Sequence, residues 1–294
     1  MAQRTFIDGA GGDIFQGRGL VNGAGCDIFR GRTLINGAGC DILLGTPIGD
    51  MPVGSTVYIP VEGVPTEFII VNQGIPSGSE QYDGSCNGTW LLMKDIYEDM
   101  YWDSENNDYE NSDIHAHLNG TFLRRFEPEI QNIISQVKIP YYKGTGADND
   151  LSTGASGLST KLFLLSCLET GHPIRGTASE YKDGAKLSYF VQWDDEGGNR
   201  DAWLERLAAD YRHGYVSENK IGIYWLRTPY LLEGHDTPNT TDGVWNHASY
   251  GGSFARTCYS GSAQHGYQDP VGVRPAMIVP FDTLVEIETY SIMT

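Results

Sequence analysis

YWLRTP (Tyr224–Pro229) and VGVRPAMIV (Val271–Val279) are two apolar runs that frame about forty residues with hardly any aliphatic side chains. Ile221, Ile223 and Trp225 on one side, and Val273, Ala276 and Ile278 on the other, mark the two ends as apolar strands. The stretch between them, Tyr230 to Asp269, is rich in Gly, Ser, Thr, Asn, His and Tyr and reads as one long loop. A loop of that length inside a compact domain is uncommon and usually serves a function. Its aromatic residues are Trp245, His247, Tyr250, Phe254, Tyr259, His265 and Tyr267, set among small polar ones. Rigid aromatic area beside adaptable hydrogen-bonding groups is the composition of a binding surface. Together with Tyr230, His235 and Arg256 they form the candidate ligand-binding set. Large aromatics are mostly buried, so Trp245 and Phe254 can equally anchor the loop to the core. Arg227 and Arg274 each end an apolar strand, one or two residues from a proline. A planar fork of donors at such a place points to structural arginines that pin loop carbonyls or a carboxylate. Trp225 is expected to be structural with them.

Upstream, the pattern is that of an α+β domain: short strands with a few helices set to one side. Val57–Val61 and Glu67–Val71 read as strands of β-branched and apolar residues, Trp90–Met93 as a buried strand, and Leu162–Leu165 as a short one. Asn111-Ser112-Asp113 is a helix-start signal ahead of Ile114, Leu118 and Phe122. Pro128 suits the first turn of a helix carrying Ile130, Ile133, Ile134 and Val137 at i, i+3, i+4, i+7. Asp201 to Arg212 is amphipathic again, with Trp203, Leu204, Leu207 and Tyr211 on one side. Gln73 to Gly88 and Lys143 to Ser159 read as loops, and Gly45 to Gly54, with Pro47 and Pro52, as a linker.

Ahead of that linker the chain repeats itself. TFIDGAGGDIFQGR, GLVNGAGCDIFRGR and TLINGAGCDILLGT are three copies of a 14-residue unit over residues 5 to 46. Asp8-Gly9, Asn22-Gly23 and Asn36-Gly37 between short apolar runs are hairpin signals, because both residues tolerate positive φ. A unit this small cannot bury its own apolar face. Leu20, Val21, Leu34 and Ile35 are therefore expected to pack on another chain. The division is residues 1–46 as a repeat arm for attachment or oligomerisation, and 47–294 as one globular domain. Asp13, Asp27 and Asp41 beside glycines raise calcium, but the β-roll calcium pattern is denser in Gly and Asp, and Asp after Gly is ordinary turn chemistry.

The chain has 38 acidic and 20 basic residues, a net charge of −18. That field repels phosphate backbones and anionic membrane surfaces, so neither nucleic acid nor membrane insertion is expected. Cys26, Cys40, Cys86, Cys167 and Cys258 form no CxxC pair, which disfavours a disulfide framework or a zinc site. With no apolar run behind Met1-Ala2-Gln3-Arg4, synthesis in a host cytoplasm without a signal peptide is expected.

Nothing points to catalysis, a metal or a cofactor. His115 and His117, two apart on a helix, face different ways and read as exposed histidines. Cys167 near His172 lacks a third orienting group, no serine sits in a G-x-S-x-G frame, and there is no P-loop or GxGxxG after a strand. Asp194-Asp195 and Glu98-Asp99 are the kind of acidic pair found on solvated faces, which leaves a cell-wall hydrolase unsupported.

With these residues in place, YWLRTP…GVRPAM resembles the WWLRSP…GVRPAL signature of an uncharacterised domain family common in phage and gut Firmicutes proteins. NSDIHAHLNGTFL (Asn111–Leu123) and KLFLLSCLE (Lys161–Glu169) are similar to two further segments of it, in the same order, so the resemblance spans about Val53 to Pro280. It implies a C-type lectin-like fold, as in formylglycine-generating enzymes and phage tropism determinants, whose last part carries the ligand surface. The 14-residue units resemble N-terminal repeats of phage structural proteins. Formylglycine-generating enzymes use two nearby cysteines, whereas GGSFARTCYSG (Gly251–Gly261) has only Cys258. Lectin calcium motifs are absent as well. The resemblance thus implies the fold without that activity. The expectation is a virion-surface protein of a phage tail, fibre or spike. Its C-terminal surface would meet a bacterial receptor, sugar or protein, and residues 1–46 would bind other virion proteins or form a homo-oligomer, a trimer by fibre geometry. The alternative is a purely structural capsid-decoration or baseplate component.

Overall fold

A computed structural model describes residues 3–7, 10–15, 18–21, 24–27, 33–35, 38–40, 45–77, 80–103, 108–143, 151–170, 182–190, 214–217, 220–222, 224–230, 243–247, 257–259, 271–286 and 290–292. Its architecture is mixed α+β, mostly sheet with little helix.

The central sheet grows from a hairpin. β1 (Thr56–Val61) and β2 (Val64–Gln73) pair antiparallel with Val61 opposite Val64. Glu62 and Gly63, at φ 51° and 75°, make the two-residue turn. Left-handed backbone at both positions matches the right-handed twist of the strands. β2 continues to β3 (Thr89–Met93), which pairs with β12 (Ala276–Val279), and β12 pairs with β7 (Leu162–Phe163). The sheet order is β7-β12-β3-β2-β1, all antiparallel. Every residue of β3, β7 and β12 is buried, so the middle of this sheet is covered on both faces, and its runs show no polar alternation. Gly88 sits where a Cβ would come within 2.5 Å of the Val279 carbonyl oxygen, so only glycine admits the approach of β12.

A second sheet lies in the order β4 (Glu98–Met100), β11 (Val271–Val273), β8 (Tyr224–Tyr230), β9 (Gly243–His247), β10 (Thr257–Tyr259). β3 runs on into β4 while β11 runs on into β12, so one antiparallel ribbon passes from the first sheet to the second. The Met93 amide bonds to Pro275 O and that of Tyr97 to Val273 O, which holds the ribbon together at the crossing.

Ser112 caps α1 (Asp113–His117), its hydroxyl accepting from the His115 amide at 3.2 Å. The backbone continues through a wider turn, Leu118–Phe122, that buries Leu118 and Phe122. Pro128 does open a helix, α2 (Pro128–Ile133), but this helix is shorter than its apolar spacing predicts. Ile134 turns extended, the Ser135 amide bonds to Ile278 O, and Val137 enters strand β5 (Val137–Ile139) against β6 (Leu158–Thr160). A backbone acceptor on the central sheet outweighs the helical stripe there. Two further readings are corrected. Gly45–Pro47 is no linker, since it pairs with β13 (Leu284–Glu286), and Ile48 is fully buried in the core. The Leu162–Leu165 strand stops at Phe163. The amphipathic segment 201–212 lies outside the described residues.

In the arm, each unit is a hairpin: Gln3–Ile7 with Ala10–Phe15, Arg18–Val21 with Ala24–Asp27, and Thr33–Ile35 with Ala38–Cys40. The first two units also pair with each other, Ile14 opposite Gly19, giving one four-stranded sheet.

Candidate functional site

The two framing strands lie side by side. β8 and β11 run parallel with Tyr224 opposite Gly272, so the chain that leaves β8 after Tyr230 must return along the sheet to enter β11 at Val271, beside the start of β8. Tyr224 to Pro229 are all buried.

Arg227 holds this frame. Its Nε donates to Pro140 O at 3.1 Å, Nη1 to Leu164 O at 2.8 Å and Glu169 Oε2 at 2.6 Å, and Nη2 to Glu169 Oε1 at 2.6 Å and Asp183 O at 2.7 Å. A guanidinium has five N–H donors, and all five are committed, so none is left for a ligand. Glu169 in turn accepts from the Tyr82 hydroxyl at 2.7 Å and the Ser166 amide at 2.9 Å. Both ion-pair side chains are fully buried. Burial alone would lower the Arg227 pKa, but the facing Glu169 carboxylate and its hydrogen bonds, with Asp183 behind, raise it above the ordinary value. Gly184 lets this cluster close: a Cβ there would meet Ser166 Oγ at 2.7 Å, Glu169 Cγ at 2.9 Å and the Tyr82 hydroxyl at 3.0 Å.

The next residue extends the network. The Thr228 hydroxyl donates to Asp183 Oδ2 at 2.7 Å and accepts from the Cys167 amide at 2.9 Å. Asp183 is wholly buried, and its Oδ1 has no partner among the described residues. Burial pushes its carboxyl up to about 6, against the opposing pull of Arg227. One cation faces two carboxylates, and Asp183 is the one left underpaired. The Cys167 thiol is pushed well up by burial and then by Asp183.

Arg274 sits at the ribbon crossing. Nε donates to Met93 O at 2.7 Å, and Nη1 to the Tyr224 hydroxyl at 3.3 Å, with the guanidinium 5.2 Å from the centre of that ring. The Trp225 indole donates to Met100 O at 2.9 Å. The three framing residues thus tie β8, β11 and β12 to the first half of the chain.

The stretch between the frames is not loop throughout, because β9 and β10 extend the sheet from β8. Tyr224 pairs with His247 and Trp225 with Asn246. After a register shift Pro229 pairs with Val244 and Tyr230 with Gly243. The shift falls at Leu226–Thr228, where the Arg227 amide bonds instead to Leu165 O. Beyond β9, Trp245 is opposite Thr257 and Gly243 opposite Tyr259. By strand alternation the positions of Trp245, His247 and Tyr259 share a face with that of Tyr230. Of the ten candidate binding residues these four are in strands. His235, Tyr250, Phe254, Arg256, His265 and Tyr267 lie outside the described residues. The glycine- and serine-rich composition around them hid β9 and β10, which the structure shows by their backbone pairing.

The other candidates fall apart spatially. His115 and His117 are half-buried rather than exposed. His117 Nε2 contacts Glu98 Oε1 at 2.6 Å, and His115 Nδ1 faces Glu110 O at 3.1 Å. Burial lowers the His115 pKa. His172, Asp194 and Asp195 lie outside the described residues. Among those described, no three His, Cys, Asp or Glu side chains are grouped to hold a metal. Asp13 and Asp27 stand opposite Arg4 and Arg18 in the hairpin register, and Asp41 lies outside the described residues. No described helix is long and apolar enough to cross a membrane.

Sequence reasoning missed Tyr82, Glu169 and Asp183. Glu169 closes the apolar run KLFLLSCLE, and a carboxylate at the end of a buried run is the signal that it has a buried cation.

Residues 87–281 match a family described as a domain of unknown function, DUF6273. The match covers about two thirds of the chain, which therefore belongs to that family. No curated protein and no solved structure matches it.

Proposed function

We propose that this member of the DUF6273 family is a non-enzymatic display protein of a phage virion, carried on a tail, fibre or spike. In this reading the stretch from Tyr230 to Asp269 is a receptor-binding surface on a C-type lectin-like domain, and the arm attaches or oligomerises it. The observation that carries the reading is the frame. β8 and β11 are adjacent, buried and bolted by Arg227 and Arg274, while the chain between them spends about forty residues on small polar and aromatic side chains. A rigid scaffold under a long polar and aromatic stretch is how binding loops are presented. Trp245, His247, Tyr259 and Tyr230 hold register positions on one face of β8, β9 and β10. The phage assignment rests on the YWLRTP…GVRPAM resemblance and on the 14-residue repeats. The reading assigns no reaction and no cofactor to the chain, and its partner is a bacterial surface sugar or protein.

The test is co-sedimentation of the purified chain with intact Firmicutes cells, wild type against Trp245→Ala plus Tyr250→Ala. Cell binding by the wild type, reduced at least tenfold in the variant, is expected. Equal binding by both would move the contact elsewhere, and a chain that ignores cells but binds phage particles would favour a structural virion component.

A further inference from the structure

We propose that Asp183 is a proton-operated latch: as a neutral acid it holds the strap of residues 182–190 against β8 and the end of β2, and its ionisation lets that strap open by itself. The inference goes beyond the display reading and holds whether or not the chain meets cells.

Among the described residues the strap pairs with no strand and is held bond by bond. The Lys182 amide donates to the Tyr142 hydroxyl at 3.0 Å, the Ala185 amide to the Tyr82 hydroxyl at 3.0 Å, and the Leu187 amide to Glu169 O at 3.0 Å. Farther along, the Ser188 amide and hydroxyl both donate to Asn72 Oδ1, at 3.1 and 2.7 Å, and the Tyr189 amide donates to Val71 O at 3.0 Å. Leu187 and Phe190 are its buried apolar anchors. β8 grips the strap at Asp183, through Arg227 on the backbone carbonyl and Thr228 on the carboxyl group. A segment fastened by separate bonds opens more readily than a strand inside a ladder.

Asp183 is the weak fastening. All five Arg227 N–H donors are committed, and the one that reaches Asp183 meets its carbonyl, not its carboxyl group. Glu169 takes the guanidinium in a two-pronged pair. Thr228 serves Asp183 Oδ2, while Oδ1 is buried with no partner among the described residues. The strap's own cations, Lys182 and Lys186, are exposed. Ionised Asp183 is therefore a second buried carboxylate without a cation of its own, and burial favours the neutral acid. The other titratable groups nearby do not compensate. Cys167 faces Asp183 from the segment after β7, and Tyr82, Cys86 and Tyr109 face Glu169 and Arg227. Burial raises the pKa of all four, so they carry no charge between pH 4 and 8. Asp183 itself moves from an ordinary 3.8 to about 6 in the folded protein, against the pull of Arg227. A raised folded-state value means that the latch holds fully below pH 4 and is lost as pH rises through 6.

Hydrogen–deuterium exchange of the full chain tests this, followed on peptides covering residues 182–190 and corrected for the intrinsic pH dependence of exchange. Protection of the strap should fall about tenfold from pH 5 to pH 7.5, the change that a shift from 3.8 to about 6 produces over that window. β3 should stay better protected than the strap at both values. Asp183→Asn keeps the shape and cannot ionise, so it should abolish the pH response and leave the strap more protected than wild type at pH 7.5. Strap protection that does not fall with pH, a strap that exchanges in step with β3 at pH 7.5, or a variant with the wild-type pH response would overturn the proposal. The wild-type profile alone decides the first two, should the variant fail to fold.

Discussion

Replacing Arg227 by methionine should cost this protein a large part of its stability. The change keeps the apolar stem of the side chain and deletes the guanidinium. Glu169, fully buried, is then left as a carboxylate with only the Tyr82 hydroxyl and the Ser166 amide to stabilise it. Breaking one side of a buried pair typically costs about 3–5 kcal/mol. The carbonyls of Pro140, Leu164 and Asp183 also lose their donor, at about 1 kcal/mol or more each when nothing replaces it. Against a total of about 5–15 kcal/mol for a domain, the loss brings the fold close to its threshold. The assay is urea unfolding followed by tryptophan fluorescence, on Arg227→Met, Glu169→Leu and the double variant. The double variant removes both charges, so it should recover at least about 2 kcal/mol relative to Arg227→Met alone, since a buried pair replaced as a unit is often close to neutral. A single substitution costing under about 1 kcal/mol, or strict additivity in the double variant, would refute the claim that the pair is held together by mutual neutralisation.

Three other outcomes follow from the same cluster and its surroundings. Asp183 keeps its proton up to about pH 6 when folded, against an ordinary value of 3.8, so it stabilises the native state below pH 4 and loses that contribution as pH rises through 6. Asp183→Asn should therefore be more stable than wild type at pH 7.5, by about 3 kcal/mol at most, and no more stable at pH 4; paired thermal melts at both values check this. Gly184→Ala should destabilise by about 1–3 kcal/mol through overpacking against Ser166 and Glu169, whereas Gly84→Ala, which meets nothing within 4 Å, should be near neutral in the same urea assay. Burial raises the Cys86 thiol to about 12 and Cys167 well above its usual value, so neither should react with a thiol reagent at pH 8 until the protein is unfolded, as peptide mapping of labelled cysteines would show.

The legible parts of this fold were those written in side-chain pattern. β-branched runs marked β1 and β2, Ser112 and Pro128 marked helix starts, and Asn-Gly and Asp-Gly marked the arm turns, because each rests on local stereochemistry. Arg227 and Arg274 could be singled out because a planar donor fork at the end of a buried strand needs acceptors. Their acceptors could not, since Glu169 is 58 residues away and Met93 is 181 away. The helix after Pro128 was overextended because its spacing says nothing of Ile278 O, which takes the Ser135 amide and turns the chain. The same blindness to backbone pairing made Gly45–Pro47 look like a linker and β9 and β10 look like loop.

The place of β12 in the first sheet has a bearing on how the protein is made. The ribosome delivers Ala276–Val279 after every other strand of that sheet, yet these residues fill the slot between β3 and β7. Until then Leu91, Leu92 and Phe163 face a gap, and Glu169 must wait in water for Arg227 to arrive. A nascent chain therefore cannot close its sheet one hairpin at a time, and it stays open, with unpaired strand edges, until Ala276–Val279 has been synthesised. Nonsense truncation anywhere before residue 276 should give aggregates rather than a smaller domain.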